Sequence, residues 1–334
     1  MKTLFLSHNP HEVHLNFAKA INAKIKIIPF KAYVNLMKKY RFLSYLYPVI
    51  SLICSLFIKV KQDFLLVDGG SSLYTAYFLK IRNKKLKIIY LDGDLFFYNL
   101  QKSKKISKKI IKSIIKNIDF VISVSKQNKN YISKYVKAPI KVCPPYPNLP
   151  YSKETKQNKK QPTTNKDYGL YIGRLDPDKN IKRIVKFALQ CPYFEKFIII
   201  GDGTLKNYIK KLSKSNNKII YLGTKKETAK YYNLCKFLIH LPDADPHPCT
   251  TMEAAIQGCY PIISKKTGTA YFFDKTFIVD NPEDFREINK KIEFISKNNK
   301  KAKKLLNKAK NHFPTKKQSL NNFKEKFKEI TNQK

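Results

Sequence analysis

Acidic residues are scarce in this chain, 24 against 66 lysines and arginines in 334 residues, leaving a formal net charge of +42. Such a balance favours an anionic partner: acidic lipid, nucleic acid or a polyanionic acceptor. Lysine, isoleucine and asparagine are enriched together, as AT-rich coding produces, so composition alone offers a second explanation. The six cysteines are scattered without a CxxC pair. That excludes a zinc site or disulfide framework and points to a reducing compartment. Long uncharged runs are also rare. The main one, Phe42 to Ile58, holds 17 residues between Lys38-Lys39-Tyr40-Arg41 and Lys59-Val60-Lys61. It is at the lower limit for a spanning helix and is interrupted by Pro48. Three readings stay open: a domain helix, an interfacial membrane-docking helix and a spanning helix. The N-terminus opens directly on a strand-like run, so no signal peptide is expected. At 43% hydrophobic, the chain has enough apolar residues for two domains of ordinary size.

Glycine is sparse as well, and six of the ten glycines fall between Asp167 and Ile263. There, short apolar runs alternate with helical patterns, which predicts βα units on a parallel sheet. Tyr168–Ile172 stops at Gly173 and Arg174, FIII at Gly201 and IIYL at Gly223, while FLIHL stops at Pro242 and the helix TTMEAAIQ ends at Gly258. In open α/β sheets ligands bind beyond the carboxyl ends of strands. The residues there suit a nucleoside diphosphate. Arg174 is one of only five arginines, and its fork can hold phosphate oxygens bidentately while Lys179 adds a point charge. Asp245 and Glu253 are eight positions apart; a carboxylate near a helix start can accept ribose hydroxyls, and the helix amides around Thr250 and Thr251 can take a phosphate.

These motifs resemble the donor-binding domain of a GT-B glycosyltransferase of family 4. GRLDPDKN resembles its Gly-Arg…Lys phosphate loop, IIIGDG its next strand and turn, and DPHPCTTMEAAIQGCYPII its E-x7-E segment. Asp245 stands in place of the first glutamate, and Pro248-Cys249 in place of a glycine and an apolar residue. The resemblance implies an α/β fold of two Rossmann-like domains facing across a cleft, with a C-terminal helix crossing back to the N-terminal domain. The expected division is 1–150 for the acceptor side, 151–166 for the linker, 167–315 for the donor domain and 316–334 for the returning helix. It also implies a nucleotide-diphosphate sugar donor (UDP- or GDP-sugar), no obligatory cofactor, no metal, and retention of configuration. Arg174 and Lys179 would then stabilise the leaving diphosphate, Glu253 hold the ribose and Asp245 orient the donor sugar. Gly173, Gly201 and Asp202 would border the diphosphate or sugar, Leu222 and Gly223 the base, and Pro248, Cys249, Thr250 and Thr251 the helix entrance.

The N-terminal half carries fewer signals. Thr3–Ser7, Ile25–Pro29, Phe64–Val67, Leu86–Leu91 and Ile140–Cys143 read as strands. Ser71 and Ser125 are expected helix caps there, as is Asn281 later in the chain. His8, His11 and His14 follow at three-residue spacing, which suits structural or substrate-contacting roles better than a metal site. Lys102–Lys116 reads as a helix with one isoleucine face and one lysine face. Asp92, after a strand, is the expected acceptor-side catalytic residue. Asp92-Gly93-Asp94 and Asp243-Ala244-Asp245 also match the short DxD pattern of metal-dependent glycosyltransferases. The main expectation is a glycosyltransferase acting on a glycan or lipid-linked acceptor, cytoplasmic, with a peripheral position on an anionic membrane surface open. The alternatives are a metal-dependent DxD enzyme, a nucleic-acid-binding or nucleic-acid-modifying protein, and a non-catalytic GT-B chain.

Overall fold

The computed structural model describes residues 2–28, 46–102, 111–149 and 168–332. The chain forms two compact units, residues 1–145 with 316–334, and residues 146–315. The linker expected at 151–166 and most of the lysine-rich segment after Lys102 lie outside the described residues.

The first unit is built on six parallel strands: β1 (Thr3–Ser7), β2 (Lys24–Ile27), β3 (Phe64–Asp68), β4 (Lys87–Asp92), β5 (Phe120–Ser123) and β6 (Ile140–Val142), in the order β2-β1-β3-β4-β5-β6. Central strands such as β3 and β4 are apolar between their ends, because helices cover both faces. The edge strand β2 reads KIKI and is largely exposed; its lysines oppose pairing with a foreign strand. Its helices include α1 (Glu12–Ala20), α2 (Tyr47–Leu56), α3 (Ser72–Arg82), α4 (Phe96–Lys102) and α5 (Lys126–Ile132). Ser125 caps α5, accepting from the Asn128 amide at 3.2 Å. Ser71 does not cap α3 with its side chain: its backbone is already helical, whereas a capping residue needs an extended one. The uncharged run is helical only over α2 within the described residues, and no described helix is long and apolar enough to cross a membrane.

The second unit carries β7 (Tyr168–Ile172), β8 (Lys196–Ile200), β9 (Ile219–Tyr221), β10 (Phe237–His240), β11 (Tyr260–Ser264) and β12 (Ile278–Val279), ordered β12-β11-β10-β7-β8-β9. Its helices are α6 (Ile181–Gln190), α7 (Lys206–Ser215), α8 (Ala229–Leu234), α9 (Cys249–Ile256), α10 (Phe285–Lys297) and α11 (Asn299–Lys310). Strand residues divide between the two faces with period two. Tyr171, Phe197, Ile199, Phe237 and Ile239 enter one core, and Leu170, Ile172, Ile198, Ile200 and Leu238 the other. Asn281 does not cap α10. The helix starts later, at Asp284, whose carboxylate accepts the Arg286 and Glu287 amides.

The last helix, α12 (Lys316–Thr331), belongs to the first unit. Phe323 stacks on Phe17 of α1 with ring centroids 4.4 Å apart, and Ser319 Oγ donates to the Pro144 carbonyl at 2.7 Å.

The chain reverses its direction of growth between β7 and β10 in the second sheet and between β1 and β3 in the first. Such reversals are where open α/β sheets form crevices. In the second sheet the reversal is accentuated. The ladder between β7 and β10 pairs only Gly169 with Phe237 and Leu170 with Leu238, whereas all five residues of β7 pair with β8. The carboxyl ends of β7 and β10 therefore separate.

Candidate functional site

The loops after β7 and β8 are fused backbone to backbone. Gly173 N–H donates to the Ile200 carbonyl, Leu175 N–H to Asp202 O and Leu205 N–H to Leu175 O. Gly201 permits this contact. Its φ is +146°, and a Cβ there would lie 1.9 Å from the Gly173 carbonyl oxygen. Asp176 adds a side-chain tie, one carboxylate oxygen accepting from both the amide and the hydroxyl of Thr204 at 2.9 and 3.0 Å. Its other oxygen accepts from Arg174. Arg174 also donates to Asp178 at 2.7 Å, so its guanidinium is fixed between two acids while staying accessible.

Lys179 ends a short 3-10 turn (Pro177–Lys179) after β7 and reaches across the separated strand ends. Its Nζ lies 2.6 Å from Asp245 Oδ2 in the loop after β10. His240 Nε2, at the end of β10, lies 3.1 Å from the same oxygen. Burial alone would push the Asp245 carboxyl up, but Lys179, with His240, overrides it and holds the group well below the usual carboxylate range. The Asp245 backbone is also fixed, its carbonyl accepting from Gly268 at 2.7 Å.

Glu253, inside α9, is buried. Its Oε1 accepts the Asn148 amide and its Oε2 the Tyr232 hydroxyl, both at 3.0 Å. Burial pushes this carboxyl up, and the two donors partly offset that. Pro248 precedes the first turn of α9, with Cys249, Thr250 and Thr251 on it. Thr251 is buried and bonds to the Pro248 carbonyl and Thr269. Cys249 Sγ donates to the Tyr146 carbonyl at 3.3 Å, and burial pushes its thiol up, so it is no thiolate nucleophile. Asp202 is exposed and paired with Lys206. Leu222 packs on the core beneath, and Gly223 carries a positive φ of +67° after β9. Thus Gly173, Arg174, Lys179, Gly201, Asp202, Leu222, Gly223 and Asp245 all follow carboxyl ends of strands in one sheet.

Asp92 belongs to the other unit, at the end of β4. It is buried and accepts from Ser123 Oγ at 2.8 Å and Asn128 Nδ2 at 3.3 Å. Burial, with Asp94 nearby, pushes its carboxyl up to about 8. Asp94 instead accepts the amides of Gly70 and Phe96 at 2.7 and 2.9 Å. The two acids of this DxD thus serve different partners, side chains for Asp92 and backbone amides for Asp94, and each is taken up by protein donors. Asp243 and Asp245 likewise diverge, Asp243 to Arg183 at 3.1 Å and Asp245 to Lys179. Among the described residues no group of three or more His, Cys, Asp or Glu is placed to hold a metal ion. His14 is bound to Asp68 at 2.7 Å, and Ser7 Oγ to the same carboxylate at 2.8 Å. His8 meets Tyr47.

Sequence reasoning missed the partners: Asp176 and Asp178 on Arg174, His240 on Asp245, and Asn148 and Tyr232 on Glu253. Only His240 left a trace, a lone polar residue closing an apolar strand.

Residues 152–312, just under half of the chain, match the family model of glycosyl transferases group 1. No curated protein sequence matches the chain. Among solved structures, Anabaena HepE in complex with UDP and glucose aligns over 99% of this chain and 100% of its own at 16% identity, with a TM-score of 0.73. A sucrose-phosphate synthase from Thermosynechococcus elongatus aligns over 100% of both chains at 14% identity and a TM-score of 0.71. The lipopolysaccharide outer core galactosyltransferase WaaB aligns over 98% and 99% at 15% identity and 0.65. The architecture is that of the GT-B glycosyltransferases. Within it, the group 1 glycosyl transferase match covers most of the second unit.

Proposed function

We propose that the protein transfers a sugar from a UDP-sugar to a hydroxyl of a glycan or lipid-linked acceptor, with retention, without an obligatory metal, in the manner of family 4. The observation that carries this reading is the Lys179–Asp245 pair across the separated ends of β7 and β10, with Arg174 beside it. Charge develops on the leaving diphosphate as the glycosidic bond breaks, and cations already fixed in place stabilise it without reorganisation. Arg174 is held in its fork by Asp176 and Asp178, and Lys179 by Asp245. A diphosphate shares these cations with the acids, which leaves the sugar end of the donor facing Asp245. The first-turn amides of α9, around Thr250 and Thr251, add partial positive charge. Each Glu253 oxygen keeps a lone pair for a ribose hydroxyl. Asp92 is the acceptor-side candidate in the first unit. HepE's complexes with UDP and with UDP-glucose support the choice of base.

The group 1 match favours this reading over nucleic-acid binding, and the diverging partners of both DxD pairs count against a metal-dependent site. The test is a thermal-shift titration with UDP, GDP and their sugar conjugates, each with and without EDTA. A shift with UDP and UDP-sugars, unchanged by EDTA, is expected. A shift that needs added metal, or none with any nucleotide, overturns the reading.

A further inference from the structure

Helix α2 has its polarity turned inside out. Its serines are buried, Ser51 and Ser55 both at 0% exposure, together with Tyr47. Most of its large apolar side chains lie outward: Val49, Leu52, Ile53 and Leu56, with Leu46 just before the helix and Phe57 just past its end, at exposures from 42% at Leu52 to 81% at Phe57, while Ile50 packs on the core. Positions 46, 49, 53, 56 and 57 follow the spacing of a single helix face, so they form one stripe. The small inward serines suit a close approach to α3, where Arg82 donates to the Ser55 carbonyl. A contiguous apolar stripe of this kind marks an interaction surface.

Among the described residues, the charges that immediately follow the stripe in the chain and those at the end of α3 are basic. Lys59 and Lys61 follow it directly and are exposed, and the Arg82 contact brings the basic end of α3 alongside, with exposed Lys84 and Lys85 next in the chain. Neither 46–62 nor 69–91 contains an aspartate or glutamate. A second copy of the chain is a poor occupant, because pairing two stripes would bring two cationic rims together on molecules of charge +42. An anionic bilayer satisfies both features: the acyl–headgroup boundary takes the apolar stripe and the lipid phosphates take the cations. With ten residues, α2 is long enough to lie in that boundary and too short to cross it.

We propose that α2 and Phe57 form a docking surface for an anionic lipid bilayer, with Lys59, Lys61, Arg82, Lys84 and Lys85 meeting the lipid phosphates. This surface belongs to the first unit alone and does not depend on the donor-site reading.

The chain has no tryptophan, so a single introduced indole reports one position. Phe57→Trp and, as a control in the second unit, Tyr208→Trp are each mixed with vesicles of phosphatidylcholine with or without phosphatidylglycerol. The expected result is a blue shift and quenching by brominated lipid for Phe57→Trp only, and only with phosphatidylglycerol. Val49→Ser/Ile53→Ser/Leu56→Ser should weaken vesicle binding about tenfold or more, while Lys59→Glu/Lys61→Glu should weaken it most at low salt. Circular dichroism checks that each variant is folded. Binding to anionic vesicles without a blue shift at position 57 would mean charge-driven adsorption and overturns the proposal. So would a blue shift without lipid that rises with protein concentration, since the stripe would then be covered by a second copy.

Discussion

The Lys179 ammonium and the Asp245 carboxylate lie 2.6 Å apart although 66 residues separate them in the chain. They meet because β7 and β10 are neighbours from which the sheet grows in opposite directions, and because their ladder stops early. Both members are largely withdrawn from solvent, so the pair ties one strand-end loop to the other.

Lys179→Ala should lower kcat by about 10²–10³ and destabilise the fold by about 3 kcal/mol, because Asp245 stays buried with one partner fewer. Lys179→Ala/Asp245→Ala should recover much of that stability without recovering turnover. Denaturant midpoints and steady-state kinetics on the three variants check it.

Arg174 is more exposed, and Thr204 still holds Asp176 without it. Arg174→Ala should therefore change stability by less than about 1 kcal/mol while lowering turnover well over tenfold. Unchanged kinetics with UDP-sugar would remove Arg174 from the phosphate assignment.

The two buried acids have opposite pH signatures. Asp92 is held up to about 8 against about 4 when unfolded. Between those values the native state keeps a proton that the unfolded chain has lost, so its contribution to stability falls as pH rises through the window. Asp245 is held below the ordinary range, so its contribution is present above about pH 4 and is lost as pH falls toward its native value. Melting temperatures across pH should show Asp92→Asn flattening the slope between about pH 4 and pH 8, and Asp245→Asn the slope below about pH 4.

Gly201→Ala should cost at least about 3 kcal/mol, since its Cβ would meet the Gly173 carbonyl at 1.9 Å. Thermal denaturation measures it; a loss below about 1 kcal/mol would show that the two loops can part.

Strand and helix placement was legible wherever apolar runs were bounded by glycine or proline. Thr3–Ser7, Tyr168–Ile172 and the helix start at Lys316 are read from the sequence as the structure has them. The caps were less legible. Ser71 and Asn281 are good capping types, but a cap is decided by backbone angles that residue type does not reveal. Arg174, Lys179, Asp245 and Glu253 stood out as types at strand and helix ends. Their partners did not, because each comes from another loop, and which loops meet depends on strand order and on where a ladder stops. The inverted polarity of α2 was hidden too, since an uncharged run looks the same whichever side the serines take.

The placement of α12 has a consequence for how the protein is made. The first unit draws Phe323, Phe327 and Ile330 into its interior, and these follow the whole second unit in the chain. The second unit, residues 146–315, is continuous in the chain and can close during synthesis. The first must wait, with the Phe17 face uncovered, until residues 316–331 have been made. A nascent chain stalled short of residue 316 would hold a finished second unit and an open first one, the species on which a chaperone would act.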